Sequence, residues 1–202
     1  MTKNLDKEGL SSIVDKYELF YVDLWGVVHN GITLHKEAIK VLREITKKEK
    51  DYILLTNAPR PNNAVKLFLE KLGMEKDIRD HVFTSGEAAL NYLKKNLQSK
   101  KFFHVGPPRD FDLFKNFEKM KSNNIKYSDY ILCTGLFDDY NTDLKFYKNL
   151  LEKEVNKKMI CTNPDLIVDR GNTRELCAGS VAMVFEKMGG EVVYFGKPHP
   201  EV

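Results

Sequence analysis

Apolar residues fall into two alternating rhythms along the chain. Short apolar runs of strand length are followed by stretches in which apolar side chains return every three or four residues. Leu19 to Val28 (LFYVDLWGVV) is the first run, nearly continuous, as in a strand buried on both faces. Residues 36–48 follow, with Ala38, Val41, Leu42 and Ile45 on one helical face. A second run at 52–55 (YILL) precedes a helix that Pro61 can open and Gly73 can end, with Val65, Phe68, Leu69 and Leu72 as its inner stripe. A third short strand at Val82–Thr84 leads to a stripe of Ala89, Leu90, Leu93 and Leu97.

The alternation then restarts. Strands are expected at 101–105, 130–133, 159–161, 166–168 and 192–195, and helices at 110–120, 142–154 and 176–188. Repeated strand–helix units imply an α/β fold, a doubly wound parallel sheet with helices on both faces. No Pro/Gly-rich linker marks a boundary, so a division near residue 86 or 100 is not visible in the composition.

Composition narrows the classes. The 202 residues suffice for one large domain or two small ones, and 42% apolar with 30% charged residues is ordinary for a soluble globular protein. The net charge of +3 is spread among interleaved acids and bases, which argues against a nucleic-acid partner. Three cysteines (Cys133, Cys161, Cys177) are an odd number without metal-type spacing. They fit neither a disulfide framework nor a zinc site and point to a reducing cytoplasm. The opening residues are polar and lack the apolar core of a signal peptide. No run approaches the roughly 18 apolar residues of a membrane span.

Three places carry candidate chemistry. Asp23 is the only charged residue from Leu19 to Val28, and a lone carboxylate in a buried strand is costly unless paired. It lies near the strand's carboxyl end, where open α/β sheets bind ligands, although a turn-capping Asp would look the same. Thr56 and Asn57 directly follow the YILL strand and could offer donors to an anion, or simply cap the next helix. Lys197, between Gly196 and Pro198 after the last strand, is either a fixed cation for a phosphate or carboxylate or an exposed loop lysine. The other histidines (His35, His81, His104, His199) lack metal-ligand spacing. Together the three places make a minimal phosphoryl-transfer set, lacking only a divalent metal.

With these residues in view, the chain resembles the haloacid dehalogenase superfamily. YVDLWGVVHNG is similar to its first motif, LLTNAPRP to its second and YFGKPHPEV to its third. The α/β stretch between the second and third resembles the class IIA arrangement, as do NPDLIVDRG and AGSVAMVFEKMGG. The resemblance implies a Rossmann-like core over 1–86, an inserted α/β cap over 87–191 and a return to the core over 192–202. Asp23 would attack phosphorus and, with the carbonyl of Trp25, hold Mg2+. Thr56 and Asn57 would hold the phosphoryl oxygens, and Lys197 would balance charge. A small phosphorylated metabolite, such as a sugar phosphate or nucleotide, would be the substrate, and pairing through the cap is expected.

Two departures qualify this picture. Most phosphatases of the superfamily carry an acid where Trp25 stands, and its loss can cost about 10²–10⁴-fold. His29 is the nearest residue that could stand in, although the same subclass includes a DxWGV-type first motif. The superfamily also continues past its third motif to a Gly-Asp motif with further metal ligands, so the core is expected to be incomplete at Val202. The competing expectation is a non-catalytic relative that binds a phosphorylated ligand or a partner.

Overall fold

Three parallel strands organise the first part of the chain in the computed structural model, which describes residues 9–170 and 173–201. The polar opening at residues 1–8 lies outside the described residues. The strands are β1 (Leu19–Val22), β2 (Asp51–Thr56) and β3 (Val82–Thr84), in the order β1-β2-β3. The helices of this part are α1 (Lys36–Lys47), α2 (Asn62–Lys71) and α3 (Lys76–Arg79). They close over a core that includes Leu24, Val28, Leu42, Ile45, Leu54, Val65 and Leu69. Val41, expected on the inner face of α1, is exposed instead, because Ala38, Leu42 and Ile45 already complete the inward stripe at helical spacing.

The first strand is shorter and wetter than its sequence suggests. β1 stops at Val22, and Leu19 and Tyr21 are exposed. β1 is an edge strand of its sheet, and the alternating side chains Leu19 and Tyr21 face solvent despite the unbroken apolar run. Asp23 therefore stands one residue beyond the strand and is not buried within it.

From α4 (Ser85–Asn96) onward the side chains pack on a second sheet. Its strands are β4 (Phe102–Val105), β5 (Tyr130–Cys133), β6 (Lys158–Cys161) and, out of sequence, β9 (Glu191–Tyr194), all parallel in the order β4-β5-β6-β9. α5 (Leu144–Leu151) and α6 (Ala178–Lys187) cover one face, with Tyr147, Leu151, Val181, Ala182 and Phe185 fully buried. The strand expected to return to the core at 192 thus belongs to this second sheet. Past Tyr194, Lys197 reaches back to the first part of the chain.

Two further segments differ from expectation. The helix expected at 110–120 is a pair of 3₁₀ turns, Pro108–Leu113 and Lys115–Met120, separated at Phe114 (φ −125°, ψ 10°). Phe111, Phe114 and Phe117 are spaced by three, which suits the threefold period of a 3₁₀ helix. The strand expected at 166–168 is β7 (Ile167–Arg170), but its partner is β8 (Thr173–Leu176), antiparallel, in a hairpin separate from both sheets. The charged TREL sequence of β8 lacks an apolar pattern, because the hairpin stands on the surface. Among the described residues, no helix is long and apolar enough to cross a membrane.

At the carboxyl edge of the second sheet His104 is buried, with Nε2 2.9 Å from the Thr134 hydroxyl. Burial, with a smaller contribution from the Lys121 charge, lowers its pKa from 6.5 to about 3. The folded state therefore keeps His104 neutral while the unfolded chain takes up a proton below about pH 6.5. Stability from this site is complete above that pH and is lost as pH falls towards 3. Between pH 7 and 4.5, wild type is expected to lose about 2–3 kcal/mol more stability than His104→Gln. Urea unfolding of both proteins at the two pH values measures this.

Candidate active site

The sheets are parallel, so all carboxyl ends of one sheet point the same way, and the two sheets turn those ends towards each other. Ser85, just after β3, donates through Oγ to the carbonyl of Thr162, just after β6, at 2.7 Å. Between the two edges lie Asp23 after β1, Thr56 and Asn57 at the end of β2, Asp165 after β6 and Lys197 after β9.

Asp23 and Lys197 form the centre. Lys197 Nζ donates to Asp23 Oδ1 at 2.7 Å and to the carbonyl of Leu55 at 2.8 Å. Asp23 follows Val22, which pairs with Leu54, so the lysine spans the next step of the β1–β2 ladder. Asp23 Oδ1 also accepts the N–H of Leu24 at 2.9 Å. Their side chains are 44% and 33% exposed, open enough to meet a solute. The lysine comes from the facing sheet, 174 residues away.

Asn57 clamps the loop that carries Lys197. Its Oδ1 accepts the Lys197 N–H at 2.7 Å, and its Nδ2 donates to the Lys197 carbonyl at 3.0 Å. The same Nδ2 donates to Asp165 Oδ1 at 2.8 Å. Both amide protons are therefore engaged, and the side chain acts here as a brace. Gly196 makes this possible: with φ +130°, any Cβ there would lie 2.7 Å from Asn57 Oδ1 and 2.5 Å from Pro164 Cδ. His199 stacks on Tyr194 with ring centroids 4.6 Å apart and closes the loop from the other side. Thr56 is buried, and its hydroxyl accepts the Ala58 N–H at 3.3 Å.

Asp165 escaped the sequence reading. Partial burial raises its pKa, and the negative charge of Asp23 adds to this, while the Asn57 bond and Lys197 oppose it. The available signal was its position: it follows an expected strand in Asn163-Pro164-Asp165, the same context that drew attention to Asp23 and Asn57. His29 is not poised as a proton donor. It is buried, its Nδ1 accepts the Gly31 N–H at 3.0 Å, and burial lowers its pKa. Among the described residues, no group of three or more His, Cys, Asp or Glu side chains is placed to hold a metal.

The family model for haloacid dehalogenase-like hydrolases matches residues 20–118. A hydrolase of the haloacid dehalogenase-like family from Brucella suis 1330 is 32% identical, with a TM-score of 0.85 over 95% of this chain and 70% of that one. The chain belongs to the haloacid dehalogenase-like hydrolase family. Within it, the 4-nitrophenylphosphatase of Thermotoga maritima is 26% identical (TM-score 0.68; 94% of this chain, 72% of that one). The p-nitrophenyl phosphatase of Archaeoglobus fulgidus shares the fold at 16% identity (TM-score 0.65; 88% of this chain, 67% of that one). No curated protein matches the sequence. In this haloacid dehalogenase-like hydrolase, Trp25 stands two residues after Asp23. Trp25 donates its indole N–H to the carbonyl of Asp169 at 3.0 Å, so it holds a contact between the two parts of the chain.

Proposed function

We propose that the protein is a magnesium-dependent phosphatase that hydrolyses a small phosphorylated metabolite, a sugar phosphate or nucleotide-like compound, through an aspartyl-phosphate on Asp23. The observation that carries this reading is the Lys197–Asp23 contact at 2.7 Å, at the mouth between two facing strand edges. Named relatives with 4-nitrophenylphosphatase activity support it.

In this mechanism Leu24 N–H and Lys197 fix Asp23 through Oδ1, which leaves Oδ2 to attack phosphorus. The Asp23 Oδ2–phosphorus bond forms as the bond from phosphorus to the leaving oxygen breaks. Water then attacks the acyl phosphate, releasing inorganic phosphate and restoring the carboxylate. Lys197 has a third N–H for a phosphoryl oxygen and offsets the charge of nucleophile and substrate. Thr56, at the end of β2, and the backbone around Asn57 would hold phosphoryl oxygens beside Lys197. The donors suit a hard cation: the Asp23 carboxylate and Trp25 carbonyl would hold Mg2+, which commonly binds through one or two carboxylates, substrate phosphate and water. When bound it neutralises developing charge. Because Trp25 offers no carboxyl proton, leaving groups of low pKa should react fastest, aryl phosphates before alkyl ones.

The same reading places the enzyme in the cytoplasm, where its buried free cysteines stay reduced, and has it pair through its second α/β unit. A second reading, phospho-ligand binding without turnover, is favoured only by Trp25. Phosphate release from 4-nitrophenyl phosphate decides between them. Turnover should saturate with added MgCl2, vanish with EDTA and return when Mg2+ is restored. Equal inertness of wild type and Asp23→Asn across a panel of phosphate esters would remove the enzyme reading.

A further inference from the structure

We propose that the Trp25 side chain is a positioning residue that pins the β7–β8 hairpin against the nucleophile loop, so that this family position serves to enclose the substrate instead of supplying a proton. Only the kinetic part of the proposal rests on the phosphatase reading.

The indole has a built seat. Gly31 lies beneath it with φ +87°, and a Cβ at that position would fall 2.6 Å from Trp25 Cη2. His29 packs edge-on to the indole, with centroids 5.4 Å apart, and in turn packs edge-on to Phe68 at 5.7 Å. The bond from Gly31 N–H to His29 Nδ1 ties the two ends of this seat together. The indole N–H is thereby aimed at a fixed point, the carbonyl of Asp169, 144 residues along the chain.

The receiving strand carries a cross-strand ion pair on the surface. Asp169 sits in β7 opposite Arg174 of β8, and its carboxylate takes two guanidinium hydrogen bonds, at 2.8 and 3.1 Å. The same segment begins at Asp165, bonded to Asn57. Residues 165–169 are therefore fastened to the first part of the chain at two points: Asn57 after β2 and Trp25 after β1. Asp23 and Lys197 meet between those two strand ends. A segment fastened across the mouth restricts solvent and substrate access, as a closing lid does. A single neutral hydrogen bond shifts such an open–closed balance by roughly two- to tenfold.

Trp25→Phe keeps an aromatic ring and the backbone carbonyl but loses the N–H. Hydrogen exchange of the intact protein should show the amides of β7 and β8 exchanging roughly two- to tenfold faster, with β5 and β6 unchanged. With 4-nitrophenyl phosphate, KM should rise by a similar factor, and by more than kcat falls. Trp25 is the only tryptophan, so its emission reports the latch directly. Arg174→Ala, which loosens the hairpin without touching the indole, should shift that emission to the red. Unchanged hairpin exchange in Trp25→Phe overturns the proposal whatever the activity. Exchange that accelerates uniformly through the chain also overturns it, since it would mark Trp25 as a general packing residue. If the wild type proves inert towards phosphate esters, the exchange and emission results still decide this proposal independently of the phosphatase reading.

Discussion

Asp23→Asn is expected to lower the turnover of 4-nitrophenyl phosphate by about 10⁴-fold or more, because an amide cannot form the acyl phosphate. The fold should survive. The Asp23–Lys197 pair is open to solvent, with side chains 44% and 33% exposed, and pairs of that kind contribute about 1 kcal/mol or less. Asn can also still accept from Leu24 N–H and from Lys197 through its side-chain oxygen. The decisive measurement couples steady-state kinetics to a thermal melt. A melting temperature within a few degrees of wild type, with activity gone, assigns the nucleophile. Retained activity in a folded Asp23→Asn protein would rule out Asp23 as the attacking group. Wild type quenched with acid during turnover should carry a covalent phosphate that the variant lacks.

Lys197→Met is expected to cost about 10²–10³-fold in kcat, the usual consequence of removing a preorganised charge from a phosphoryl-transfer site. Without the ammonium, a carboxylate must approach a phosphate dianion with no fixed positive charge between them. Met keeps most of the side-chain length, so the loop held by Asn57 and His199 should remain in place. Lys197→Arg is expected to rescue poorly. One ammonium reaches both Asp23 Oδ1 and the Leu55 carbonyl, whereas a planar guanidinium fork presents its donors in a different geometry. Single-turnover kinetics at saturating substrate test this, because the expected loss lies in the chemical step. A Lys197→Met protein within threefold of wild type would remove the charge-balancing role.

Much of this site was legible in the sequence because strand ends announce themselves. Asp23, Thr56-Asn57 and Lys197 each follow a short apolar run, and parallel topology collects such positions on sheet edges. The role of Asn57 was less legible. Its type suggested a donor to phosphate, but its amide protons bond to Asp165 and to the Lys197 carbonyl. The 3₁₀ turns at 108–120 look like an α-helix in the sequence, since an apolar spacing of three is compatible with either helix type over a short stretch.

The linear pattern of apolar and polar residues determined the α/β class, the order of most strands and helices and the positions where catalytic groups could stand, because burial acts residue by residue along the chain. Tertiary structure alone decided that β9 joins the second sheet, that Lys197 reaches Asp23 from the facing edge, and that the Trp25 indole holds Asp169. The last two contacts join residues 174 and 144 positions apart. No local preference encodes such partners; they exist because two sheets, each closed over its own core, bring their carboxyl edges face to face.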